Sequence, residues 1–204
     1  MCGIFASFDC DKLKELHKLN AYRGSLSYSI CGFKRYHTSV IPSVLYSAEG
    51  DLPDDIIDHA CSMDKNTYMV AHVQAPTTQS GGRHPAAADS GMLWHNGIIK
   101  QKEIPEGTWD TLWLLYAIKD YGFDYLSRVD GTFACVLFSG DTLYVFRNEI
   151  SPLFVDKDLN ISSTKFDGSE ELEPNKVFVI ALAEKKLECI HRFRTKQNPY
   201  YFGV

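Results

Sequence analysis

Residue 2 is a cysteine directly behind the initiator methionine, in Met1-Cys2-Gly3-Ile4-Phe5. A small second residue allows the methionine to be removed, which leaves an α-amino group and a thiol on one residue. An α-amino group titrates at about 7.7–8.0, so its neutral form can take the thiol proton, directly or through a water, without a histidine. The same five residues read equally well as a stretch of apolar strand. The other cysteines, Cys10, Cys31, Cys61, Cys135 and Cys189, are scattered singly, with no CxxC pair and no Cys/His cluster at zinc-like spacing. They are expected to pack as compact hydrophobes. Neither a disulfide, a structural zinc nor any other metal or cofactor is expected.

Further segments carry polar residues able to serve such a nucleophile: Arg23-Gly24, Ala71-His72-Val73-Gln74-Ala75-Pro76-Thr77, His84-Pro85, Trp94-His95-Asn96-Gly97-Ile98-Ile99 and Asp110-Thr111. Taken singly, each has a plain structural meaning. Asn96-Gly97 is a common hairpin turn, and Asp110 before an apolar helical run suits a helix cap. As an ordered set they resemble the class II glutamine amidotransferase domain, an N-terminal-nucleophile hydrolase, over nearly the whole chain. The later segments Gly131-Thr132-Phe133-Ala134, Arg147-Asn148-Glu149-Ile150-Ser151-Pro152-Leu153, Ser162-Ser163-Thr164-Lys165 and Leu172-Glu173-Pro174 are closest to the asparagine-synthetase type.

The resemblance implies a four-layer αββα sandwich of two antiparallel sheets and a thiol that attacks the side-chain amide of glutamine. Ammonia leaves, and the thioester is hydrolysed to glutamate. Cys2 takes the nucleophile's place, while the Asn96 side chain and the Gly97 backbone N–H match the oxyanion hole. Asp110 matches the carboxylate that holds the substrate ammonium, and Thr77 a polar residue of the pocket. His72 and His84 fall at framework positions and are assigned no catalytic role. Where the family has an arginine for the substrate carboxylate, this chain has Gln74, whose carboxamide offers only neutral donors. Either Arg83 or Arg23 replaces the missing cation, Arg23 being the more structural of the two, or Gln74 serves a substrate without a free carboxylate. A second departure, in Arg147-Asn148-Glu149-Ile150-Ser151, concerns a structural turn.

The chain ends at Val204, soon after the last expected strand, so a separate synthase is expected to consume the ammonia. The leading expectation is a stand-alone glutaminase subunit with glutamine as substrate. The alternatives are an amide hydrolase acting on another substrate, and a catalytically silent ligand-sensing module. Retention of Cys2, Asn96, Gly97 and Asp110 together speaks against the silent module.

The elements that must position these residues are mostly short apolar or alternating runs bounded by turn residues. Strands are expected at Cys2 to Phe8, Tyr28 to Phe33, Val44 to Ser47, Tyr68 to Val73 and Met92 to His95. A largely meandering second set covers Thr132 to Phe138, Leu143 to Arg147, Leu153 to Val155 and Val177 to Leu182, with Ser139-Gly140-Asp141 as a hairpin turn. Helical spacing occurs at Leu13, Leu16 and Leu19, at Ile56, Ile57 and Ala60, and from Asp110 to Tyr121. The last run is apolar almost all round, so it is expected to be covered on most sides against a sheet. With no repeat or linker, residues 1–204 are read as one α+β domain.

Composition narrows the class further. With 45% hydrophobic and 13% aromatic residues, the 204-residue chain can bury a sizeable core. Acidic residues outnumber basic ones, 26 to 21, for a net charge of −5. That leaves no cationic surplus for nucleic acid. No apolar run reaches the roughly 20 residues of a membrane helix, and no basic-then-apolar leader is present; a cytoplasmic protein without membrane contact is expected.

Overall fold

The computed structural model describes residues 2–62, 66–75, 82–89 and 91–195. Among these, β1 (Gly3–Ser7) leads into α1 (Cys10–Asn20), β2 (Ser27–Tyr36), β3 (Ser39–Glu49), α2 (Asp54–Ser62) and β4 (Tyr68–Gln74). There follow β5 (Ala86–Ala88), β6 (Gly91–Ile99), α3 (Asp110–Tyr121), β7 (Gly131–Ser139) and β8 (Thr142–Arg147). The short strands β9 (Phe154–Val155), β10 (Ile161–Ser162) and β11 (Glu170–Glu171) precede the hairpin β12 (Lys176–Ala181) and β13 (Lys186–Arg192). Every strand expected from the apolar runs is present. Those not anticipated, β5, β10, β11 and β13, are short or, in β13, carry charge at alternate positions.

The strands form two antiparallel sheets, ordered β11-β9-β10-β1-β4-β2-β3 and β13-β12-β8-β7-β6-β5. Strand alternation sends successive side chains to opposite faces. Ile4, Ala6, Phe33, Tyr68 and Val70 of the first sheet therefore meet Trp94, Ala134, Val136 and Val145 of the second. On the far face of the first sheet, Phe5, Ile30 and Ala71 pack on Leu13 and Leu16 of α1 and Ile57 of α2. On the far face of the second, Leu93, Phe133 and Leu137 pack on Leu114, Leu115 and Ile118 of α3. The result is the expected four-layer αββα sandwich.

Two expectations need correction. Helix α3 is covered by the sheet along one side only; Tyr116 and Tyr121 are 43% and 66% exposed, since a phenol ring can keep its hydroxyl in water. The C-terminal meander is also interrupted. After β8 the chain leaves the second sheet, adds β9, β10 and β11 to the first, and only then returns as β12. The two-residue turn Gly140-Asp141 between β7 and β8 has φ of 54° and 62°, the mirror-image turn that suits strand twist. Its Asp141 carbonyl accepts a hydrogen bond from the Val40 N–H of β3 at 3.0 Å.

The departure from the second sheet is built on two buried side chains. Arg147, 3% exposed, donates to the carbonyls of Leu172 (2.5 Å), Asn148 and Ser151 and pairs with Glu171 at 2.9 Å. Asn148 Oδ1 accepts from the N–H groups of Phe133, Ile150 and Ser151, while its Nδ2 donates to Gly131 O at 2.9 Å. Truncating Asn148 strands Phe133 N–H and Gly131 O in a dry interior, at about 1–3 kcal/mol for each unsatisfied group. Asn148→Ala is expected to lower unfolding free energy by about 2–4 kcal/mol in urea titration. A loss within 0.5 kcal/mol of zero, on the order of a neutral surface change, would contradict this account of the crossover.

Candidate active site

Cys2 immediately precedes β1, which lies in the interior of its sheet between β10 and β4. All five β1 residues are buried. The Cys2 side chain is itself 4% exposed, and its carbonyl accepts a 2.9 Å hydrogen bond from Arg23 Nε. Arg23 is thus a buried structural clamp on the Cys2 backbone. The clamp depends on Gly24, where a Cβ would lie 2.3 Å from the Gln74 carbonyl carbon. Asn20 packs beneath Gly3 and donates to Leu16 O and Ser162 Oγ, both at 2.8 Å. Burial pushes the Cys2 thiol above its ordinary range, and Asp110 adds to this, while a backbone hydrogen bond at Ala75 and the charge of Arg23 oppose it. Cys2 therefore stands within electrostatic reach of Asp110, although the two are far apart in sequence. A thiol held protonated in this way needs a base beside it to react.

Asn96 and Gly97 lie in β6, not in a hairpin turn. Asn96, 2% exposed, points between the sheets, and its Nδ2 donates to Ser163 Oγ at 3.3 Å. The same hydroxyl oxygen accepts from Ile4 N–H at 3.0 Å, and Ser163 N–H donates back to Ile4 O at 2.8 Å. Asn96 is thereby tethered to the strand that follows Cys2, and its second amide N–H has no partner among the described residues. Gly97 stands opposite Phe133, whose N–H and carbonyl are both taken by Asn148. That makes Gly97 a non-hydrogen-bonded ladder position, with its N–H turned away from β7. At φ +153°, a Cβ on Gly97 would meet Thr132 O at 1.9 Å, so the position admits only glycine without moving β6.

Asp110 is the first residue of α3, as the helical spacing from Asp110 to Tyr121 implies, and the cap position is taken by Trp109. Its Oδ1 accepts from Thr111 N–H at 2.7 Å and its Oδ2 from Ile99 N–H at 3.1 Å. The carboxylate thus joins helix start to the end of β6 and keeps lone pairs for a further donor. Gln74, 4% exposed, spends its carboxamide internally: Oε1 accepts from Ser27 Oγ at 2.7 Å and Nε2 donates to Gly82 O at 2.9 Å. Arg83 is exposed beside Gly82. Thr77, like all of residues 76–81, lies outside the described residues.

Three buried histidines, two of them expected as framework, join these pieces. His72 stacks on His84 with ring centroids 3.9 Å apart, and its Nε2 donates to His95 O at 3.2 Å. His95 bridges Thr132 O and Thr111 Oγ1, each at 3.1 Å, and His84 Nε2 is 3.5 Å from the same Thr111 oxygen. Sequence reasoning missed Thr111, Ser163 and Asn148 as supports; their small polar side chains inside apolar surroundings were the available signal.

Burial lowers the proton affinity of all three rings, His72 to about 3. Above about pH 7 folded and unfolded chains both hold neutral imidazoles, so stability does not vary through these groups. Below about 6.5 the unfolded chain binds protons that the folded chain refuses, and stability falls with pH. At pH 5.5 the expected loss through His72 is about 1.4 kcal/mol, with His84 and His95 adding in the same direction, read from urea midpoints between pH 8 and 5. His72→Gln should remove one histidine's share, and a profile equally steep in that variant would count against the assignment.

Neither a family model nor a curated protein sequence matches the chain. Among solved structures, it is similar to a glutamine phosphoribosylpyrophosphate (PRPP) amidotransferase from B. subtilis complexed with ADP and GMP. The TM-score is 0.63 at 17% identity, over 97% of this chain and 50% of that one. A second, described as the allosteric regulatory enzyme of purine biosynthesis, aligns with a TM-score of 0.59 at 16% identity and the same coverage. The chain spans about half the length of the structures it matches. Its two antiparallel sheets, flanked by helices, have the α+β N-terminal-nucleophile hydrolase fold of these neighbours.

Proposed function

We propose that this chain hydrolyses glutamine as a class II amidotransferase-type glutaminase, with Cys2 as N-terminal nucleophile. The observation that carries the reading is convergence: a buried cysteine ahead of an interior strand, an asparagine tethered to that strand through Ser163, and Asp110 within electrostatic reach. Shared fold with an amidotransferase supports it.

Removal of Met1 frees the Cys2 amine, which takes the thiol proton as Sγ attacks the glutamine side-chain carbonyl. The C–S bond forms, and negative charge moves onto the amide oxygen. The free Asn96 N–H and the unladdered Gly97 N–H are the donors for it. The amine proton passes to the leaving nitrogen, the C–N bond breaks, and ammonia departs from a thioester. Water, deprotonated by the same amine, hydrolyses the thioester to glutamate and restores the thiol. Asp110 receives the substrate ammonium, Thr77 lines the pocket, and Arg83 supplies the carboxylate's cation, since Gln74 is committed to Ser27 and Gly82. The domain covers residues 1–204, acts without cofactor or metal, and passes ammonia to a separate synthase.

The internal commitment of Gln74 also favours a second reading, an N-terminal-cysteine amide hydrolase whose substrate lacks a free carboxylate. Arg83→Ala separates the two. It should raise KM for glutamine by about tenfold or more if a charged hydrogen bond is lost, and leave KM unchanged if the carboxylate is not recognised there.

Purified protein should begin at Cys2 by intact mass, release glutamate from glutamine, and take up one equivalent of a diazoketone glutamine analogue. Cys2→Ala should abolish both activity and labelling, and Asn96→Ala should lower kcat by about 10²–10³. Activity in protein that keeps Met1, or labelling at a different cysteine, would overturn the mechanism.

A further inference from the structure

Helices α1 and α2 run antiparallel across the far face of the first sheet and meet through a series of side-chain pairs one helical turn apart. His17 Nδ1 lies 3.4 Å from Asp54 Oδ1, and Lys14 pairs with Asp58. One turn further along each helix, Cys10 stands against Cys61. The ladder of pairs, 17 with 54, 14 with 58 and 10 with 61, follows the i, i+3, i+4 spacing that places residues on one helix face. Both cysteines are half-buried free thiols. They line one cavity of about 370 Å³ together with Phe8, Asp9, Thr67 and Met69. Unlike Cys31 and Cys135, which are sealed in the core, they combine proximity to a second thiol with a route for a small oxidant.

We propose that Cys10 and Cys61 form a redox-responsive thiol pair, oxidised by a hydroperoxide to a disulfide that joins the start of α1 to the end of α2. This inference does not rest on the glutaminase reading. Cys10 is the first residue of α1, and Lys14 one turn on is paired with Asp58 of α2, so the two helices are already fastened beside the thiols. Burial, reinforced by Cys10 and Asp58, pushes the Cys61 thiol up, and the first oxidation is assigned to Cys10. Its thiolate attacks one peroxide oxygen; the S–O bond forms, the O–O bond breaks, and the leaving hydroxide is protonated to water. Cys61 sulfur then attacks the resulting sulfenic acid. The S–S bond forms, the S–O bond breaks, and hydroxide leaves with the Cys61 proton as a second water. Two thiols are oxidised by two electrons in all, and one peroxide is reduced.

The test treats folded Cys2→Ser protein with hydrogen peroxide, blocks remaining thiols by alkylation, and digests without reduction. The expected product is a Cys10 peptide joined to a Cys61 peptide, two hydrogens lighter than their sum and absent when the protein is oxidised in urea. In Cys61→Ser, a 1,3-diketone probe should instead trap sulfenic acid on Cys10. The oxidised protein should melt about 5 °C or more above the reduced one, and a thiol reductant should reverse the shift. Full alkylation of both cysteines while the exposed Cys189 is oxidised would overturn the proposal, as would equal cross-linking in urea.

Discussion

At the candidate site one hydroxyl oxygen ties the two sheets together, beside the bond from His72 to the His95 carbonyl. Ser163 Oγ accepts the Ile4 N–H from one sheet and the Asn96 Nδ2 from the other. Without it, a backbone donor of a fully buried strand would lie unpaired between two apolar surfaces, at about 1–3 kcal/mol. Ser163 follows β10, which exists only because the chain abandons the second sheet after Arg147 and crosses to the first. The short strands β9, β10 and β11 add little area of their own; what they deliver is that oxygen. Arg147 and Asn148, which saturate the polar groups of the crossover, are thus remote supports of the relation between Cys2 and Asn96.

A common feature of the site is that its supports are neutral. The stacked His72 and His84 hold no charge at ordinary pH, and Gln74 has its carboxamide tied at both ends. Among the described residues the charged groups near Cys2 are Arg23, whose Nε is held by the Cys2 carbonyl, and Asp110, taken in part by two backbone donors. In a low-dielectric interior an uncompensated charge would move the thiol's proton affinity strongly. Neutral packing around two fixed charges leaves that affinity set chiefly by burial, so the identity of the local base becomes decisive.

Much of this was legible from sequence because strands buried on both faces read as apolar runs. Helix α3 was legible to the residue, and the hairpin turn at Ser139-Gly140-Asp141 followed from its composition. Strand β13 was missed because, at a sheet edge, its Lys186, Glu188 and Arg192 are solvated and break the apolar pattern. Strands β10 and β11 were missed because two residues carry no period. Asn96-Gly97 looked like a turn since its local signal is that of a hairpin; the extended conformation is imposed by β7 alongside, a tertiary effect no local pattern contains. The commitment of Gln74 was likewise invisible, because Ser27 is far from it in sequence and no local pattern pairs it with Gly82. The pairing of Cys10 with Cys61 needed the relative placement of two helices.

The hydrogen bond from Val40 to the Asp141 carbonyl has a consequence beyond local geometry. Strand β3 is an outer strand of eleven residues with no charge before Glu49, and with Ile41 and Leu45 exposed. Such an edge is a template on which another chain can add a strand. The turn of the opposite sheet occupies one of its donors, and Pro42, two residues on, supplies none. A foreign strand therefore cannot zip along the full edge from its start. The hairpin between β7 and β8 acts as a guard against intermolecular association, confining any such pairing to the half of β3 beyond Pro42.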